Sequence, residues 1–384
     1  MPRSALTAVV LVALVVSGCS VQRGDHGDPA AAALSSLPAV PAGAVEEVPT
    51  NVRAPVDPPA VGMRVRDFDG EADLRGPHFT IAVDWVATGR AIEELSLPMV
   101  PALDARRAPD GAELFIVAVD GESGGQGQWN VPDGESAPPV ELVVDGKATP
   151  LTTVPVPAQD AVAPIPQSGV LVVASVPVKA PVTLRVTDAE RTQTVDLRAG
   201  KRGKDAIPGY YQPYSQEISF DTSLPAHFTA GGGSYPTTLQ VTSRGGTDIA
   251  APYVLLAPWT PSGGWAADGR AWLVVPQPVV ETPIVSGVPG LRYAVTEPEV
   301  FKVQLPDGTE IAETGGTREI STPLGHISGG GDDLVFDVPA TFVTGTFRML
   351  LASAPAVAMF SDGDYPARFS APPPPFELAI DLAA

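Results

Sequence analysis

The sequence predicts an all-β fold, two β-sandwiches in tandem behind a leader and a proline-rich tether, and three observations carry that expectation. Short runs rich in Val, Thr and Ile alternate apolar with polar positions at a period of two, the pattern of strands that bury one face. Turn formers are dense, with 43 Pro and 38 Gly in 384 residues, yet 44% of the chain is hydrophobic, so many short strands can still surround real cores. Motifs of the first half recur in the same order in the second, as they do in a duplicated unit.

The chain opens with Arg3 and an apolar run over residues 6–16, and the run closes on Val16, Ser17, Gly18 and Cys19. A basic start, a short apolar stretch and small residues at the cut are the parts of an export signal. The run is well short of the roughly 20 apolar residues that a spanning helix needs. Cys19 is the only cysteine, and it stands where a bacterial lipoprotein is cleaved and acylated. Residues 1–18 are therefore expected to be a lipoprotein signal peptide recognised through Val16, Ser17 and Gly18, with Cys19 as the lipidated first residue. Two or more acyl chains suffice for stable anchoring, so the expected address is the extracytoplasmic face of the cell membrane. A single thiol forms no intramolecular disulfide, and core burial alone has to hold the folded part.

Residues 19–60 read as the lipidated cysteine and a disordered linker, because Pro29, Pro38, Pro41, Pro49, Pro55, Pro58 and Pro59 interrupt regular structure. The first sandwich is expected over 61–205. Phe79, Ile81, Val83 and Trp85 share one face of a strand by alternation. Residues 114–119 form an apolar run suited to a central strand, and residues 140–144 end in Asp145-Gly146, a two-residue hairpin signal. Residues 169–178, then Val182, Leu184 and Val186, then Val195 and Leu197 complete the unit. Residues 90–97 are the best candidate for a short helix. Lys201, Arg202 and Lys204, read as a solvated linker, precede Tyr210, Tyr211 and Tyr214, which are expected to pack between units.

The second sandwich is expected over 206–384. Residues 271–275 stand where 114–119 stood, Asp307-Gly308 answers Asp145-Gly146, and residues 334–339 answer 172–177 at the same spacing. Residues 379–382 answer 194–197 at a longer spacing, which predicts an insertion around 362–375. Short strands with frequent turns describe Ig-like sandwiches. The order of ELFIVAV, an Asp-Gly hairpin, LVFDVP and FELAIDL resembles the extracellular Ig-like domains of actinobacterial envelope lipoproteins, the immunoprotective Ig-like group. That resemblance implies a β-sandwich at the surface or secreted, with no established enzymatic role and no catalytic motif to carry over.

A formal charge of −20 repels nucleic acid and anionic headgroups. The expected partners are the lipid bilayer through acylated Cys19 and an unidentified protein or envelope component. Ser123 satisfies the G-x-S-x-G spacing of a nucleophile elbow, but residues 126–132 cannot form the helix an elbow requires. A hairpin loop is the expectation there, and an envelope-acting serine hydrolase using Ser123 is the alternative. His26, His78, His227 and His326 lack ligand spacing, and acidic loops at Asp67, Asp69 and Asp73, at Asp332 and Asp333, and at Asp362 and Asp364 read as turns, so neither metal nor cofactor is expected. Trp85 and Trp272 belong to strand cores. Trp129, Trp259 and Trp265 lie in loops rich in Gly and Pro, where they anchor the loop or bind a partner. The sequence thus describes a non-enzymatic binding or structural module of the cell envelope.

Overall fold

Alternation in the sequence becomes strand almost throughout. The computed structural model describes residues 36–50, 63–68, 70–92, 103–122, 129, 131, 136–154, 169–211, 215–243, 253–281, 288–295, 300–315, 318–319, 333–354, 356–361 and 363–383, and this part is nearly all-β. The first unit begins with β1 (Val45–Thr50), β2 (Met63–Asp67), β3 (Leu74–Gly76), β4 (Phe79–Gly89), β5 (Ala91–Ile92) and β6 (Arg106–Arg107). It continues with β7 (Ala112–Glu122), β8 (Val140–Val144), β9 (Lys147–Leu151), β10 (Gly169–Pro177), β11 (Val182–Asp188), β12 (Arg191–Asp196) and β13 (Lys201–Arg202). One sheet runs β1-β10-β7-β4-β2 with β3 beside β4, and the other runs β13-β12-β11-β8-β9. Phe79, Phe115 and Val172 from the first meet Leu142, Leu184 and Val195 from the second in one core.

The alternation breaks at one place in β4. Register against β7 shifts between Val83 and Trp85, a bulge that moves every later side chain to the other face. Val86 therefore joins Phe79, Ile81 and Val83 in the main core, while Trp85 turns into a second cluster with Ile92, Leu103, Leu114, Ile116 and Leu171. The four-residue face expected from the sequence holds for three. The same second cluster covers the outside of β7 and β10, which explains their unbroken apolar runs.

The second unit contains β14 (Ser215–Glu217), β15 (Asp221–Ala230), β16 (Gly233–Thr242), β17 (Tyr253–Ala257), β18 (Trp259–Thr260), β19 (Gly264–Trp265), β20 (Arg270–Val275), β21 (Val279–Glu281) and β22 (Gly290–Val295). It ends with β23 (Phe301–Gln304), β24 (Glu310–Ala312), β25 (Arg318–Glu319), β26 (Leu334–Pro339), β27 (Thr344–Met349), β28 (Ala356–Phe360), β29 (Gly363–Ala371) and β30 (Phe376–Asp381). Its sheet β14-β17-β20-β26 repeats the order β2-β4-β7-β10, and its sheet β24-β23-β27-β30 repeats β9-β8-β11-β12. Both Asp-Gly pairs join matching strands. A further sheet, β21-β16-β15-β29-β28-β22-β25, is built from insertions. The expected insertion falls in this sheet as part of the β28–β29 hairpin, but the β15–β16 hairpin was not legible as one. The added sheet packs Phe228, Leu239 and Leu291 on the core that holds Phe301, Phe336 and Phe347.

Two further expectations are corrected. Residues 91–92 pair with 106–107 as β5 and β6, so the expected helix does not start there. Residues 45–50, placed in the disordered linker, form β1 against β10 from Val45↔Ala174 to Thr50↔Gly169. Pro49 is harmless on an edge strand, where a missing N–H faces no partner. Val45 and Val48 pack against the two clusters, and Arg106 pairs with Glu46.

Glu47 ties this edge to the opposite sheet. Its carboxylate accepts the backbone N–H of Thr152 at 2.8 Å and of Thr153 at 2.7 Å, along with both hydroxyls. Burial pushes its carboxyl up, but the hydrogen bonds from Thr153 and Thr152 together outweigh burial and hold it below the ordinary carboxylate value. A carboxyl lowered in the folded state contributes stability above its unfolded pKa and loses it as pH falls through the folded one. Glu47→Gln is expected to cost about 1 kcal/mol at neutral pH, a charged hydrogen bond discounted for exposure. Urea midpoints of the two proteins should differ at pH 7 and converge in strong acid.

Candidate functional site

The strongest concentration of polar and aromatic contacts lies between the units. His78, the residue before β4, is drawn under the turn that joins β11 to β12. Asp188 accepts its backbone N–H at 2.9 Å and pairs with ring Nδ1 at 2.8 Å, and both residues are buried. The next two residues, Ala189 and Glu190, have φ of 43° and 66°. A two-residue hairpin requires that conformation, and non-glycine residues adopt it at roughly 1–3 kcal/mol each. Neighbours hold the turn in place. Trp265 of the second unit donates its indole N–H to Ala189 O at 2.6 Å, and the Arg191 guanidinium lies 4.1 Å from the centre of the same indole.

Trp259, directly after β17, stands edge-on to the His78 ring at 4.8 Å and to Trp129 at 5.5 Å. The Trp129 backbone N–H is bonded to Pro77 O at 2.8 Å, which fixes that indole beside His78. Tyr210 closes a 3-10 turn (Pro208–Tyr210) and meets Trp265 at 6.5 Å. Gly209 permits the close approach here, since a Cβ would come within 3.3 Å of Pro258. Tyr211 accepts the Arg75 N–H at 3.2 Å and donates to Gln193 Oε1 at 3.0 Å. Its ring lies under Arg202, 4.2 Å away.

Burial pushes the Tyr210 phenol far above its ordinary value, and the Asp188 charge pushes it further. Tyr211 is raised by burial as well, against the lowering from the Arg75 N–H and Arg202. Both phenols therefore stay neutral at any physiological pH. Of the basic cluster expected to be solvated, Arg202 instead donates to Gly70 O at 2.9 Å and covers Tyr211.

All three loop tryptophans thus meet at one junction. Trp272, expected in a core, is half-buried and donates to Gly264 O at 2.9 Å, steadying the loop that carries Trp265; Trp85 is buried. Cys19, Val16, Ser17, Gly18 and Ser123 lie outside the described residues, as do His26 and His326. His227 pairs with Ser234 at 3.1 Å on the added sheet. Among the described residues no three His, Cys, Asp or Glu side chains converge on a metal-sized site. Sequence reasoning missed Asp188, Arg191 and Gln193, because a polar hairpin tip gives no signal that another unit covers it.

Contacts between the units take up most of the junction's polar and aromatic groups. His78 and Asp188 have the geometry of a base and its orienting acid, but His78 Nε2 is buried and without a hydrogen-bond partner, as is Tyr210 OH. Each unpaired buried group costs about 1–3 kcal/mol, which the surrounding aromatic burial has to offset. The chain matches no protein-family model, no curated protein and no solved structure.

Trp259→Ala is expected to cost about 2–3 kcal/mol, less than the 3–5 of a fully buried ring. Calorimetry should then resolve two transitions, against a single one expected for the native chain. Glu190→Gly relieves the left-handed strain and is expected to raise stability by about 0.5–1 kcal/mol, read as a higher melting temperature.

Proposed function

We propose that the chain is an extracytoplasmic lipoprotein, held to the cell membrane by acylated Cys19, and that it serves as a non-enzymatic binding or structural module of the envelope. The observation that carries this reading is the polarity of the first unit. Residues 42 and 43 run beside the Asp145-Gly146 turn and Pro177. Val182 pairs with Val144 and Val186 with Val140, so that turn and Asp188 lie at opposite ends of β11. A tether arriving at one pole, with the second unit fixed at the other, suits a stalk that presents its far end outward.

Strand order supports reading each unit as an Ig-like sandwich. In that fold strands B and E are neighbours in one sheet, and C and F in the other. Here β7 neighbours β10 and β8 neighbours β11, while in the second unit β20 neighbours β26 and β23 neighbours β27. The net negative charge disfavours nucleic acid and anionic lipid surfaces as partners.

The hydrolase alternative has one observation in its favour, the His78–Asp188 pair. A general base must reach the proton it removes, and Trp259 stands against the ring whose Nε2 is sealed from solvent. A fluorophosphonate probe is expected to leave Ser123 unlabelled; labelling would favour the hydrolase. For the anchor, intact-mass analysis of the native polypeptide should find Cys19 as the first residue with acyl chains attached. Cys19→Ala should move the protein from the membrane to the soluble fraction. A free thiol or a retained leader would overturn the proposal.

A further inference from the structure

A cleft opens at the pole of the first unit away from the junction, and the two units explain each other there. In the second unit the chain leaving β24 crosses at once to the other sheet, where Thr314 gives its N–H and its hydroxyl to Val335 O, each at 2.9 Å. In the first unit β1 lies on the corresponding edge of β10, and among the described residues Glu47 makes the crossing by reaching Thr152 and Thr153. One added strand widens a sheet by about 4.8 Å. Beneath the widened edge lies a cavity of about 480 Å³, while at the matching pole of the second unit the described residues line a shallower hollow of about 300 Å³ beside Phe342.

The floor of the cleft is the open end of the first core, formed by Val45, Val144 and Val176. Cross-strand partners share a face of the sheet. Val144 pairs with Lys147, and the buried Leu142 with Thr149. Lys147 and Thr149 therefore stand on the inner face, where alternation would place apolar residues. Among the described residues Lys147 has no ion-pair partner and Thr149 no side-chain hydrogen bond. The acids at the rim do not neutralise the lysine: Asp110 is fully exposed and pairs with Arg90 at 3.7 Å, and Asp145 is exposed at the tip of its turn.

The geometry points to a binding site for a small amphiphilic carboxylate, an alkyl or aryl acid whose apolar body lies on the three valines. Its carboxylate meets the Lys147 ammonium and accepts the Thr149 hydroxyl. Cavities of this size, mostly apolar with a few convergent polar groups, are the usual form of small-molecule sites. The inference is independent of the anchor, since it uses only groups of the first unit.

Calorimetric titration of the full chain carrying Cys19→Ala, with octanoate, octanol and octylamine as probes, tests it. Octanoate is expected to bind at one site, octanol about tenfold more weakly for lack of the charge contact, and octylamine not at all. Lys147→Gln, on an exposed residue that the fold does not need, should bring octanoate down to the level of octanol. Thr149→Val should weaken octanoate severalfold, and Val144→Trp should abolish binding of both by filling the cavity. Absence of octanoate binding, octylamine binding as tightly as octanoate, or an unchanged octanoate affinity in Lys147→Gln would each overturn the proposal.

Discussion

The grip of Asp188 on His78 is the contact on which the long axis of the molecule depends. One carboxylate holds the backbone and the ring of the residue that opens β4, and so joins the two sheets of the first unit at one pole. That pole is then a fixed platform. Trp259 stands against the imidazole and Trp265 against the turn that follows Asp188, so the second unit docks on groups whose positions are already determined. Without a disulfide to cross-link the units, aromatic burial over a prepared polar pair is what sets their relative placement. The strained Ala189-Glu190 turn fits the same logic: conformations of that kind persist where surrounding contacts over-determine them.

The duplication shows which features the fold requires and which it tolerates. Both units keep the same two sheets in the same strand order, because the chain must cross between sheets to bury both inner faces around one core. Around that constant frame the units diverge. The first gains β1 from the segment that precedes β2 and carries a second apolar cluster outside β7 and β10. The second gains a whole sheet from hairpins inserted before β17 and after β27. In both cases extra strands are added where an apolar strand face would otherwise meet water.

Much of this was legible in the residues. Asp145-Gly146 and Asp307-Gly308 mark matching hairpins because a tight turn demands left-handed backbone, and Asp145 and both glycines adopt it. The apolar runs of β7 and β10 appeared because both faces of a central strand are covered. What was hidden is non-local. A bulge at Asp84 cannot be read from the alternation it interrupts, and Trp85 was assigned to the wrong face. Pro49 argued against a strand, yet an edge position removes the objection. Trp129, Trp259 and Trp265 read as anchors of their own loops or as partner-binding residues, because nothing in a sequence says that two loops far apart along the chain will meet. Asp188 gave no signal at all for the same reason.

That placement of the tryptophans also shifts where recognition can occur. Aromatic rings packed on one another and on His78 are already desolvated, so they have little further area to offer a partner. Two surfaces remain outside the junction. One is the cleft beside β1, at the pole that carries the Asp145-Gly146 turn. The other is the outward face of the added sheet, where Ser223, His227, Thr229 and Ser234 alternate with the buried Leu224, Phe228 and Ala230. The insertions that build it leave β14 and β27 at the ends of those strands opposite the junction, since Met349 pairs with Phe301 while Thr346 pairs with Gln304 near the Asp307-Gly308 turn. The added surface of the second unit therefore lies at the ends of its strands away from the junction, where no contact with the first unit occupies it among the described residues.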